Sequence, residues 1–360
     1  MVWGERAGLD LGGARGSLRS MIVGICTGIP DHPYHSCTSD EREKKIKKRA
    51  IHVRLLYGMY DRAQDIPEAE YQEWWTQVHY QLLPMDSILT EDELNLYAPE
   101  LEEERENQFF GVFLRKEERP SAEAPVWVGA IRGTNLSARA LADLQNDAKI
   151  VLERLNPSTL IPLLYYVVWR LGELHGYCNV NVTGHSLGAA AGLLVCRRLA
   201  LEGCVVEGHF FNPPFITLDS LARTCAPCVR QNDAAMPAGN RVLPAVADTD
   251  RRNRALAEFM TLDNWSPYLY VNKHDFISRE FVSHFKKAIH ETVDGNRRWY
   301  SSLTELTQRF VGETESYHPF PSAHLVTSYK HRTRPISAHM LWNWIDTHLK
   351  YDFKHFSLIP

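Results

Sequence analysis

The stretch Val180-Asn181-Val182-Thr183-Gly184-His185-Ser186-Leu187-Gly188-Ala189-Ala190-Ala191 constrains this chain more than any other. Its first residues alternate apolar and polar with a β-branched bias, the pattern of a strand, and its last are the Ala- and Leu-rich start of a helix. Between them stands G-x-S-x-G. Such a pentapeptide is expected by chance on the order of 0.1 times in a chain of ordinary composition and this length, so its position between strand and helix carries the weight. In a turn this tight, Gly184 and Gly188 on either side of His185 and Leu187 must lack side chains. The helix then packs against the strand while the Ser186 hydroxyl projects above the sheet.

The rest of the chain repeats the strand-to-helix unit. Residues 126–131 are a short β-rich run that ends in the turn Arg132-Gly133-Thr134. Helical patterns follow over 138–155 and 159–174, then a strand over 179–183, a helix over 187–201, strands over 205–211 and 268–271, and a helix over 276–289. Strands alternating with helices mean βαβ units. The fold class expected is therefore α/β, a mostly parallel central sheet flanked by helices, with a helical N-terminal extension. The expected organisation is a mobile tail over 1–30, one domain over 31–350 and a C-terminal tail over 351–360. Within the domain, residues 31–110 are expected to be helical and an external insertion spans about 223–250. Trp74, Trp75, Val78, Tyr80 and Leu82 are assigned to a helix, and the acidic stretch 91–107 to an exposed linker. The basic run Lys44, Lys45, Lys47, Lys48 and Arg49 reads as a solvated helix face, with a nuclear-import patch as the alternative.

Composition narrows the partners. Forty Lys and Arg against forty-four Asp and Glu give a formal charge of -4 over 360 residues, without the basic excess that nucleic acid would require. No stretch reaches the ~20 apolar residues of a membrane span, and the apolar run at 21–26 is shorter than a signal-peptide core. A cytoplasmic location is expected. The seven cysteines are scattered and odd in number, which suits a reducing compartment, and the lone Cys225-x-x-Cys228 reads as ordinary thiols rather than a metal site.

A serine hydroxyl becomes nucleophilic only when a base takes its proton and a carboxylate orients that base. After a nucleophile elbow the carboxylate and then the histidine follow in the chain. Asp275 lies just past the strand at 268–271, where a strand end delivers a side chain to the active edge of a sheet. A helix N-cap is its competing role. Asp248, Asp250 and Asp263 lack such a strand. Eight histidines follow Asp275, so the presence of one decides nothing. Oxyanion donors are expected at the backbone N–H of Leu187 and, from the turn after the earlier strand, at Thr134. Each such donor is worth ~3 kcal/mol of barrier.

With these residues assembled, the chain resembles the fungal-lipase-like, or class three lipase, branch of the α/β-hydrolases. Within it the chain is similar to plant lipase-like proteins catalogued under a GDSL esterase/lipase label. The matching pieces are Ala130-Ile131-Arg132-Gly133-Thr134, the acids in Leu141-Ala142-Asp143-Leu144 and Asn146-Asp147, the elbow, Phe211-Asn212-Pro213-Pro214, Tyr270-Val271-Asn272-Lys273-His274-Asp275 and Ala338-His339-Met340-Leu341-Trp342-Asn343-Trp344. They span roughly 31–345. The resemblance implies that Ser186, Asp275 and His339 form a triad and that Thr134 and Leu187 line the oxyanion hole. The two histidines nearest this place in the chain differ in setting. His324 sits in a β-like run, whereas His339 follows Pro335 and precedes an apolar helix, on a loop after the last strand. The expected activity is hydrolysis of carboxylic esters, lipid esters among them, through an acyl-enzyme on Ser186, with a small-molecule or lipid ester as partner and no cofactor or metal. A catalytically silent scaffold that binds a partner or small ligand, and an acyltransferase with the same triad, are the alternatives.

Overall fold

The computed structural model describes residues 39–64, 68–116, 124–133, 160–214, 257–279, 281–283, 321–330, 335–346 and 348–357. The chain divides into units 1–43 and 44–360. The described residues of the first are the start of helix α1, and all that follows concerns the second. The expected tail over 1–30, the insertion over 223–250, the helix over 138–155, Cys225, Cys228 and Thr134 lie outside the described residues.

Among the described residues, eight strands form one sheet in which spatial order equals chain order. They are β1 (Tyr80–Leu83), β2 (Phe110–Arg115), β3 (Trp127–Ile131), β4 (Val180–His185), β5 (Glu207–Phe211), β6 (Tyr268–Asn272), β7 (Ser322–Ser328) and β8 (Tyr351–Ser357). Strands β3 to β7 are parallel, in a register that sets Ile131 beside Gly184, His185 beside Phe211 and Tyr270 beside Val326. The remaining pairs are antiparallel. The described helices are α1 (Ser39–Arg62), α2 (Glu68–Thr76), α3 (Glu91–Leu96), α4 (Ala98–Asn107), α5 (Leu160–His175), α6 (Leu187–Leu201) and α7 (Pro335–His339). Among the described residues no helix is long and apolar enough to cross a membrane.

A sheet that grows in one direction through right-handed crossovers must put the connecting helices on one face. The two cores obey this. Alternate strand residues Ile131, Val182, Phe210, Leu269, Val271 and Leu325 pack with α5 and α6. Their neighbours Val128, Ala130, Phe211, Tyr270 and Val326 pack with Val53, Leu55, Leu56 and Met59 of α1 on the other face. The period of two along each strand thus assigns each side chain to a layer.

Four expectations need correction. Residues 91–107 are two helices and not a linker, because Thr90 and Glu93 close a reciprocal capping box and Leu101 and Glu104 bury one side of α4. The helix through Trp74 stops at Thr76, and Tyr80 and Leu82 belong to β1, paired with Arg115 and Phe113. Residues 351–357 are strand β8, not a tail, held by a seven-residue ladder to β7. Finally, residues 276–279 form a turn and helical geometry is described only at 281–283, because the Asp275 side chain ties that turn together.

Candidate active site

The elbow forms because β4 ends at His185 and α6 begins at Leu187, with Ser186 between them at φ 53°, ψ −123°. This left-handed value in a residue with a Cβ costs of order 1–3 kcal/mol. It persists because its neighbours over-determine it. The Ser186 N–H donates to Phe211 O at 3.0 Å, and Ser186 O accepts from the Ala189 and Ala190 N–H groups. A Cβ on Gly184 would overlap the Gly188 backbone, and one on Gly188 would overlap the carbonyls of Ile131 and Arg132. Both glycines are therefore sterically required.

His339 ends the short helix α7, and its ring reaches the serine. Nε2 lies 2.9 Å from Ser186 Oγ and Nδ1 lies 2.8 Å from Asp275 Oδ2. All three side chains are buried, at 5%, 1% and 0% exposure for Ser186, His339 and Asp275. The Asp275 carboxylate also accepts from the Ile277 N–H at 2.9 Å and the Ser278 hydroxyl at 2.6 Å. Asp275 thus serves its local turn and reaches His339, so the capping role and the site role coexist. A carboxylate only accepts, which assigns the proton of the neutral imidazole to Nδ1 and leaves Nε2 to accept from the serine hydroxyl. A base so placed can take the serine proton as the oxygen attacks. His324 is elsewhere: its ring stacks between Tyr268 and Phe353 on the sheet face that α1 covers. The setting of His339 differs from the loop before a helix read in the sequence, since it lies at a helix end and β8 still follows it.

A second line of hydrogen bonds holds this one in place. The His339 carbonyl accepts from Asn212 Nδ2 at 2.6 Å and from His185 Nε2 at 3.0 Å. With Nε2 as donor, His185 Nδ1 is an acceptor, and the Tyr60 hydroxyl donates to it at 2.7 Å. The Tyr60 oxygen in turn accepts from the Gly133 N–H at 2.7 Å. Burial, with His339 nearby, pushes the His185 pKa down to about 3, so this imidazole stays neutral and the chain keeps its direction. Asn343 Nδ2 donates to the carbonyls of Ser337, Ala338 and Met340 on either side of His339. The Trp344 Nε1–H donates to Asn212 Oδ1 at 3.3 Å.

Leu187 is the first residue of α6, where backbone N–H groups lack intrahelical partners. Thr134 lies outside the described residues. Its neighbour Gly133 comes against the nucleophile, because a Cβ there would stand 2.9 Å from Ser186 Cβ. Among the described residues no group of three or more His, Cys, Asp and Glu side chains is arranged to hold a metal ion. Sequence reasoning gave no role to Tyr60, Asn212 or Asn343. Asn212 and Asn343 lie in stretches singled out above, but Tyr60 sits on a helix more than 120 residues before its partner and carries no local signal.

A mixed α/β protein whose sheet ends carry a buried hydroxyl, imidazole and carboxylate in one hydrogen-bonded line is thus defined by geometry. No family model matches the chain. It is 26% identical over 250 residues to an Arabidopsis thaliana protein named GDSL esterase/lipase, a likeness covering 64% of this chain and 69% of the other. No Gly-Asp-Ser-Leu occurs in this chain, whose Ser186 stands in Gly184-His185-Ser186-Leu187-Gly188.

Proposed function

We propose that this chain is a serine hydrolase of the α/β-hydrolase fold, of the fungal-lipase-like kind, that cleaves carboxylic esters. The observation that carries the reading is the line from Ser186 Oγ through His339 to Asp275, with both links under 3 Å, at the carboxyl edge of parallel strands where α/β sheets bind ligands. The likeness to a protein named as an esterase/lipase agrees with it. Ser186 Oγ attacks the ester carbonyl while His339 Nε2 takes the hydroxyl proton. The oxyanion is met by the N–H groups of Leu187 and Thr134. As the carbonyl re-forms, the leaving alcohol receives the proton from His339 and the acyl group remains on Ser186. Water then repeats the sequence, giving its proton to His339 and freeing the acid.

The test is covalent labelling of the native protein by a fluorophosphonate probe. The wild type is expected to label and Ser186→Ala not to. A wild type that stays unlabelled would sink the hydrolase reading in favour of a binding scaffold. Acyl release to water or to an added alcohol then separates hydrolase from acyltransferase, and short against long p-nitrophenyl esters bound the acyl group.

A further inference from the structure

The basic run of α1 takes no part in this chemistry, and it is not the solvated face that its composition suggests. Lys44 and Lys47 do face solvent. Lys45, Lys48 and Arg49 share the i, i+3, i+4 side of the helix, and that side lies on the sheet. Arg49 is 1% exposed. Its Nη2 donates to the backbone carbonyl of Asp346 at 2.7 Å and its guanidinium lies 5.1 Å from the Tyr351 ring centroid. Among the described residues, Nε and Nη1 have no hydrogen-bond partner. The Asp346 carboxylate is engaged elsewhere, with the His348 N–H at 2.8 Å and Lys330 Nζ at 3.7 Å. A fully buried guanidinium with bare donors and no paired carboxylate is costly, and it calls for a compensating anion.

Arg49 lines a cavity that offers about 30 Å³ to the centre of a water molecule, against the ~10–15 Å³ that one water needs. Lys45 and Lys48 stand on the same helix side, and His209, Tyr268 and Tyr351 form the sheet side. Glu207 pairs with Lys48 at 2.5 Å and accepts from His209 Nε2 at 2.5 Å. His209 Nδ1 accepts from the Tyr270 hydroxyl at 3.0 Å, so this imidazole is neutral with both nitrogens committed. Lys45 Nζ lies 3.6 Å above the Phe353 ring. The Arg49 guanidinium, with Nε and Nη1 left without an acceptor among the described residues, presents a positive field to the cavity. A metal cation is repelled by that field. The rings of His209, Tyr268 and His324, stacked at 4.6 and 4.4 Å, make the adjoining wall flat and aromatic.

We infer that this cavity is a binding site for a small phosphate-type oxyanion, gripped by the unpartnered edge of Arg49 with Lys45 and Lys48 closing over it. The guanidinium fork suits two oxygens of one tetrahedral group, and the flexible lysine stems adjust to the rest. The size admits the charged group alone. If the source is a phosphomonoester, its organic part stays outside, past the part-exposed lysines.

Thermal unfolding with inorganic phosphate, or with glycerol phosphate, against sodium chloride at equal ionic strength tests this. The wild-type Tm is expected to rise by roughly 2 °C at about ten times Kd. A rise with inorganic phosphate identifies the free ion as sufficient, and a rise with glycerol phosphate alone identifies a monoester. Arg49→Met, which replaces a buried charge by an apolar chain, is expected to keep its salt-only Tm and lose the rise. Lys45→Gln, changed at the solvent edge and foldable whatever Arg49→Met does, is expected to weaken the phosphate effect at least threefold. No rise in the wild type with either phosphate, an equal rise in Arg49→Met, an unchanged effect in Lys45→Gln, or an adventitious ion only, matched by chloride, would each overturn the site. None of these readouts depends on Ser186.

Discussion

A neutral imidazole donates one hydrogen bond and accepts one, and His185 has both committed, to the carbonyl of His339 and to the hydroxyl of Tyr60. Tyr60 thereby links the backbone of the proposed base to Gly133, the residue before the proposed oxyanion donor Thr134. Burial raises the Tyr60 pKa above that of a free phenol, so its proton stays where the link needs it. Tyr60 and His185 are positioning residues. Tyr60→Phe strips Nδ1 of its donor and Gly133 of its acceptor, and is expected to lower kcat about tenfold, a ~1.4 kcal/mol effect, with KM near the wild-type value. Equal changes in kcat and KM, or none, would reduce Tyr60 to packing. For the base itself, His339→Ala is expected to lower kcat by about 10⁴. His324→Ala is expected to stay within tenfold, since burial, with His355 beside it, holds that imidazole neutral with a pKa down at about 4 and its ring is stacked with Tyr268 and Phe353 rather than bonded to Ser186. A dead His324→Ala beside an active His339→Ala would reverse the assignment.

At the scale of elements, local and tertiary forces can be separated. Helix α3 starts where it does because of its cap: Thr90 Oγ1 accepts from the Glu93 N–H and Glu93 Oε2 accepts from the Thr90 N–H, while Glu91, Asp92 and Glu93 complement the helix dipole. Thr90→Ala is expected to cost about 1 kcal/mol in chemical denaturation. Helix α1 owes its place to burial instead. Leu56 is fully buried between the helix and β-strand side chains, and Leu56→Ala is expected to cost ~2–5 kcal/mol, the usual range for a core cavity. A loss under 1 kcal/mol would mean that α1 is not part of the cooperative unit. The acidic stretch at 91–107 misled sequence reading because charge was weighed above period: Leu101 and Glu104 alone mark the buried side of α4, too sparse a stripe to outvote its glutamates.

Among the described residues of 44–360, one sheet lies between two unlike layers, and the pH response follows from what those layers bury. The Glu104 carboxyl accepts from the N–H groups of Phe109 and Phe110 at the entry to β2, yet burial outweighs those bonds and raises its pKa from 4.5 to about 8. The folded state therefore holds a proton that the unfolded chain releases near 4.5, and stability from this group falls as pH rises from about 4.5 to about 8. The Tm of the wild type relative to Glu104→Gln is expected to decline across that window, and a flat difference would refute it. The sequence alone determined the elbow, the parallel strands β3 to β6 and helices α5 and α6, because period-two burial, glycines at a tight turn and helix breaks act over a few neighbouring residues. It also brought forward Ser186, Asp275 and His339, whose side chains do meet, although only a resemblance singled out His339 among the eight histidines after Asp275. The tertiary structure decided the rest. Strands β1, β2 and β8 exist through ladders to their neighbours more than through their own pattern. The basic side of α1 turned inward, and Tyr60 found His185 across 125 residues, because contacts between residues so far apart in sequence depend on which faces the completed sheet leaves to be covered, and no local periodicity encodes that.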